Sequence, residues 1–188
     1  MTATTESTLA APSGSPGRTQ VLAWIGLAAR LVLGGVLLWA GAAKLPELRE
    51  SVLAVQAYKL LPYDVATVVG YVLPLAEVML GVLLILGLFT RVAGAIGALL
   101  MVAFVIGIAS AWARGISIDC GCFGGGGAIA WEEAQAKYPW EIARDIGLFA
   151  CGAYLAWRPR TPYALDTWLF RPAVVSDTDL IDDEETIA

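Results

Sequence analysis

Residues 73–101 read LPLAEVMLGVLLILGLFTRVAGAIGALLM, and this stretch decides the fold. Only Glu77 and Arg91 are charged in it. Arg91 sits in a tight connection, so the stretch reads as the end of one membrane span and the start of the next. Followed outward, the apolar runs give spans at about 65–88 and 92–113. A further run upstream marks a first span at about 22–43. About 20 apolar residues, rising ~1.5 Å each, cross a hydrocarbon layer of roughly 30 Å. A fourth span, about 140–157, is shorter and carries Glu141, Arg144 and Asp145 in its first turns. A half-inserted amphipathic helix competes with it. The tryptophans favour a span, since Trp24 and Trp157 would mark one interface and Trp39, Trp112 and Trp140 the other. The expected fold is all-α, a four-helix transmembrane bundle over 22–157.

Composition agrees. The 188 residues are 58% hydrophobic and 15% charged, with mean hydropathy +0.70. An ordinary soluble domain is about half apolar and about a quarter charged. A secreted disulfide scaffold and a disordered chain are excluded. The net charge of −5 is a property of the tail, since six of the 17 acidic residues fall in the last dozen positions. The body is nearly neutral, and no basic patch suggests nucleic acid. The chain has no His, which excludes His-based catalysis and His-containing metal sites.

The flanks read differently. Residues 1–20, rich in Ser, Thr, Ala, Pro and Gly, are expected to be disordered, because they hold too little apolar surface to offset ordering. Residues 158–188 read as a disordered acidic tail. In the first outer loop, PELRESVLAVQAYKLL (46–61) reads as a short amphipathic helix lying on the membrane, bounded by Pro46 and Pro62. Charge counting does not fix the orientation. Both termini are placed in the cytoplasm because a thiol pair is more useful outside, where disulfides persist.

Two buried charges stand out. Arg30 lies on a stripe with Gly34, Leu37, Gly41 and Lys44, and Glu77 on one with Gly70, Pro74 and Gly81. A charge in mid-membrane costs at least a few kcal/mol unless paired or wet, and small residues let helices approach closely. Measured from the ends of the two apolar runs, the depths of Arg30 and Glu77 agree, so an intramembrane Arg30–Glu77 pair is expected. It would either line a ligand or proton pathway or lock helix register. Lys44, Arg144 and Asp145 would close the outer mouth.

Of three cysteines, Cys120 and Cys122 flank Gly121 in the loop DCGCFGGGG. Gly121 lowers the barrier to closing so small a ring, because it lacks a Cβ. Three readings stay open: thiol–disulfide exchange, a structural disulfide, and a metal–thiolate site needing ligands from elsewhere. Asp119 argues mildly against a reactive thiolate, since an anion raises a thiol pKa; Lys44 or Arg114 would have to offset it. Cys151, deep in span four, reads as an apolar core residue.

RLVLGGVLLWAGAAKL (30–45), residues 73–101 and DCGCFG (119–124) resemble the DoxX/MauE group of four-helix membrane proteins, with the MauE branch fitting best. The resemblance covers about 22–157. It implies a redox-associated integral protein, expected in a bacterial inner membrane, with Cys120 and Cys122 as the redox pair. It also implies a link to methylamine utilisation through disulfide formation in methylamine dehydrogenase. Implied partners are the lipid bilayer and a thioredoxin-like extracytoplasmic protein, and the implied electron acceptor is a membrane quinone. The enzyme class, if the chain is catalytic, is membrane thiol–disulfide oxidoreductase. One departure matters: loop 44–64 has no second cysteine pair, so a partner would have to supply the other dithiol. Two other classes compete, a non-catalytic membrane anchor or assembly subunit and a passage protein for small molecules or metals.

Overall fold

The computed structural model describes residues 16–119, 121, 127–158 and 161–166. Five helices dominate: α1 (Pro16–Lys44), α2 (Leu48–Ala57), α3 (Tyr63–Leu86), α4 (Thr90–Ala113) and α5 (Trp131–Trp157). A 3-10 turn, Leu45–Glu47, links α1 to α2. Two short strands, β1 (Ile118–Asp119) and β2 (Gly127–Ala128), pair antiparallel before α5.

The all-α fold is as expected, and α1, α3 and α4 are long and apolar enough to cross a membrane. Helix α5 is long enough, yet Glu141, Arg144 and Asp145 set it apart from those three. It begins nine residues before the expected 140 and runs through Pro139. Helix α1 begins at Pro16 rather than near residue 22; proline suits a first helical position, where its missing N–H leaves no bond unmade. The loop helix is present as Leu48–Ala57. Residues 161–166, read as tail, pack instead against the bundle: Thr161 and Ala164 are buried. The outer parts of both flanks, 1–15 and 167–188, lie outside the described residues.

In the bundle, α1 packs between α3 and α5, and α5 packs along α4. Helices α3 and α4 touch less, and α2 lies against α3 beside that gap. The core is a line of apolar side chains, among them Leu33, Leu37, Leu80, Leu84, Met101 and Leu155. Outward faces are apolar as well: Val32, Val68, Leu75, Met79, Leu99 and Ile106 are all exposed. Water-soluble monomers rarely expose so continuous an apolar surface, whereas lipid accepts it. The exposed Trp24, Trp39, Trp112, Trp140 and Trp157 suit the interfacial belts.

Small residues set the α1–α3 contact. A Cβ on Gly41 would lie 2.7 Å from the Pro74 carbonyl oxygen and 2.9 Å from the Val78 nitrogen. These are backbone atoms and cannot swing aside. Gly41→Leu is therefore expected to destabilise the bundle by about 1–3 kcal/mol through overpacking, seen as a lowered melting temperature in detergent. Gly35, with open space around it, is the control position.

Candidate functional site

Charged side chains gather where the loop end of α1 meets α3 and α5. Lys44 Nζ donates to both oxygens of Glu77, at 2.8 and 2.9 Å. Lys44 is 5% exposed and Glu77 0%. The ammonium lies 5.7 Å from the centre of the Phe104 ring, close enough for a cation–π contribution. Beside them Arg144 pairs with Asp145 at 2.8 Å. A void of about 10 Å³, close to the size of one water, is lined by Glu77, Arg144, Asp145 and apolar neighbours. Asp145 Oδ2, buried at its edge, has no hydrogen-bond partner among the described residues. Lys44, Arg144 and Asp145 thus join Glu77 in one neutral cluster of two cations and two anions.

Arg30 lies elsewhere. Its guanidinium donates to Thr161 Oγ1 at 2.9 Å and to the Tyr163 carbonyl at 3.2 Å. Glu77 takes Lys44, not Arg30, as its partner. The reason is register. Lining up the two apolar runs by their ends sets residue 22 against 88. The small-residue contacts instead set Gly34 against Leu84 and Gly41 against Pro74 and Val78, with Arg30 beside Gly87. That places Arg30 about 15 Å along the axis from Glu77, at a rise of ~1.5 Å per residue.

At the terminal end, Gly87 closes α3 in the left-handed conformation, φ +70°, where a Cβ would run into Arg30 and Ala164. The Asp166 carboxylate accepts hydrogen bonds from the Phe89 and Thr90 amides at 2.8 and 2.9 Å. It thereby satisfies amide donors that the start of α4 leaves open.

The thiol loop has a built base. Ile118 pairs with Ala128 and Asp119 with Gly127. Tyr138, 1% exposed, reaches under this ladder from α5. Its hydroxyl accepts from the Ile118 amide at 3.0 Å and donates to the Ile116 carbonyl at 2.7 Å. Gly121 adopts φ +65°, and its amide donates to Asp119 Oδ1 at 3.2 Å. Cys120 and Cys122 lie outside the described residues. Asp119 also accepts from Lys137 Nζ at 3.1 Å, and Lys137 pairs with Glu133 at 2.7 Å. Hydrogen bonds to Glu133 and then Asp119 hold the exposed Lys137 ammonium well above its ordinary pKa. Lys137 therefore stays charged throughout the neutral range. Shared between Glu133 and Asp119, it is the cation that meets Asp119, a place the sequence reading gave to Lys44 or Arg114. Arg114 is used elsewhere, donating to the Tyr58 and Lys59 carbonyls and to Ser110. Cys151 is half-buried against the apolar core and makes no disulfide among the described residues.

A larger cavity, about 420 Å³, opens in the gap between α3 and α4 under α2. Its walls are largely apolar, with Lys44, Ser51 and Tyr58 as polar exceptions and Gly121 contributing from the thiol loop. Ser51, Tyr138, Lys137, Thr161 and Asp166 carried no sequence signal. Each is an ordinary polar residue whose role comes from a long-range neighbour.

No curated protein matches the chain, and no solved structure does. A family model does: that of the family described as methylamine utilisation protein MauE matches residues 22–158, from within the first turns of α1 to the end of α5. Together with its three long apolar helices, this match makes the chain a membrane protein that belongs to the MauE family, linked to methylamine utilisation.

Proposed function

We propose that the protein is a membrane-embedded thiol–disulfide exchanger whose working pair is Cys120 and Cys122. In this reading α5 is a fourth span, both termini are cytoplasmic, and the loop faces the extracytoplasmic side of a bacterial inner membrane. A thioredoxin-like partner presents a dithiol. Its thiolate attacks one sulfur of the Cys120–Cys122 disulfide, and the other sulfur leaves as a thiolate. The partner's second thiol then resolves the mixed disulfide. The partner ends oxidised, and the pair ends as two thiols. A membrane quinone then takes two electrons and two protons from the pair.

The observation that carries the reading is Lys137 on Asp119, immediately before Cys120. A carboxylate beside a thiol raises its pKa and lowers its thiolate fraction. Lys137, shared with Glu133, offsets part of that penalty. Lys137→Met is accordingly expected to raise the pKa of the neighbouring thiol. The rate of iodoacetamide alkylation of the reduced protein, followed against pH, should shift to higher pH. Lys137→Arg should restore the profile.

The reading is tested with purified protein and a reduced thioredoxin as the dithiol probe. The expected result is one thioredoxin disulfide formed per pair reduced. A thioredoxin lacking its resolving cysteine should accumulate as a mixed disulfide with the oxidised wild-type chain, and neither Cys120→Ser nor Cys122→Ser should oxidise thioredoxin. No transfer with the oxidised wild-type chain would refute exchange. A second reading, a non-catalytic anchor, is favoured by the fully paired Lys44–Glu77 lock. It expects the double Ser variant to keep full function.

A further inference from the structure

We infer that the 420 Å³ cavity between α2, α3 and α4 is a binding site for the head of an isoprenoid quinone, with Ser51 and Lys44 holding one carbonyl oxygen. The inference deepens the exchange reading by giving its electron acceptor a place.

The cavity's size falls in the range of roughly 300–1,000 Å³ typical of small-molecule sites. Val69, Leu73, Leu100 and Phe104 are among its apolar walls. In that setting Ser51 is anomalous. It is 7% exposed, and its hydroxyl oxygen has no hydrogen-bond partner among the described residues. A buried hydroxyl left unmatched loses its hydration without replacement. A helical serine can bond back to a carbonyl one turn earlier, and Ser51 makes no such bond. Its hydroxyl is available to a ligand. Lys44 stands at the same cavity. An ammonium carries three N–H donors, and Glu77 takes two of them.

These features define the ligand. Two donors in an apolar chamber call for an acceptor oxygen. The Lys44 charge is already balanced by Glu77, so that oxygen belongs to a neutral group, a carbonyl rather than a carboxylate. Leu60, Leu61 and Ile106 line the cavity and are also exposed on the outer surface, at 49%, 44% and 59%. An apolar tail can leave through that rim into lipid. Gly121, with a cysteine on either side in the chain, forms part of the wall. A neutral, lipid-soluble dicarbonyl beside a dithiol is a two-electron oxidant. Oxidation of the Cys120 and Cys122 thiols to a disulfide releases two electrons and two protons, and the quinone takes up both pairs to become the quinol.

The test uses the full chain in phosphatidylethanolamine–phosphatidylglycerol vesicles and a benzoquinone with a ten-carbon tail. The expected result is saturable binding, weakened about tenfold by Ser51→Ala and abolished by the cavity-filling Ala103→Trp. The double Ser variant at 120 and 122 should bind within twofold of wild type. That variant separates the two claims. Quinone binding without any thiol oxidation would sink the exchange reading and leave the site standing. Absence of saturable binding, indifference to both Ser51→Ala and Ala103→Trp, or equal competition by a ten-carbon alkane would overturn the site, the last marking it as an acyl-chain slot.

Discussion

Lys44→Met is expected to destabilise the bundle by about 3–5 kcal/mol, while Lys44→Met with Glu77→Leu recovers most of that loss. The single change takes from a carboxylate, fully buried in the native pair, its hydrogen-bonded cation, and leaves Arg144 alone against two anions. The cost of breaking a buried pair comes chiefly from that stranded ion, not from the lost attraction. Removing both charges strands nothing, and an apolar pair of similar volume is often neutral or stabilising. Lipid on the outer face offers the stranded carboxylate no water, so the imbalance should be at least as severe as in a soluble core. Unfolding in mixed detergent, followed by tryptophan fluorescence, checks the cycle. The same cycle distinguishes two roles for the pair. If it serves only as a register lock, the double variant folds and binds the ten-carbon quinone as wild type does. If Lys44 also holds a carbonyl, the double variant folds and binds it about tenfold less tightly.

Arg30→Met is expected to detach Thr161–Asp166 from the bundle and cost about 3 kcal/mol. The buried guanidinium makes two hydrogen bonds to that segment, and hydrogen bonds from a charged donor contribute about 1.5–3 kcal/mol each. Detachment also removes Asp166 from the start of α4, where it accepts from two amides. Hydrogen exchange should report both events, with the Phe89 and Thr90 amides losing protection while mid-α4 amides keep theirs. Lys at position 30 should not rescue, because one ammonium cannot reproduce the fork that reaches Thr161 and Tyr163 together. Protection unchanged at residues 89 and 90 would contradict the account of this end.

The three apolar helices and the loop helix were legible because each rests on a local signal: run length, or a pair of bounding prolines. The polar stripe Arg30–Gly34–Leu37–Gly41–Lys44 was legible too. Its partner was not. Matching helix ends gave Arg30 to Glu77, whereas close contacts at Gly34, Gly41 and Gly81 slide the helices by about two turns and give Glu77 to the other end of the same stripe. Which pairs of small residues meet is decided by backbone fit between two helices, which one strand of sequence does not record. Residues 161–166 were hidden for a similar reason. TPYALD is too short and mixed to carry a run or a period, and Arg30 and the open amides of α4 make it part of the bundle. At the thiol loop, DCGC made the two thiols and the glycine between them legible. The Lys137 charge that offsets Asp119 lies 18 positions away and is joined to it only because α5 begins early, at Trp131.

The most direct test of the central claim is the redox state and sidedness of Cys120 and Cys122 in intact cells, read with a membrane-impermeant thiol reagent. The account predicts that both are labelled from outside after reduction and that the pair turns reduced when respiration is blocked and oxidised when it resumes. Labelling from the cytoplasmic side alone, or a redox state that ignores respiration, would contradict it.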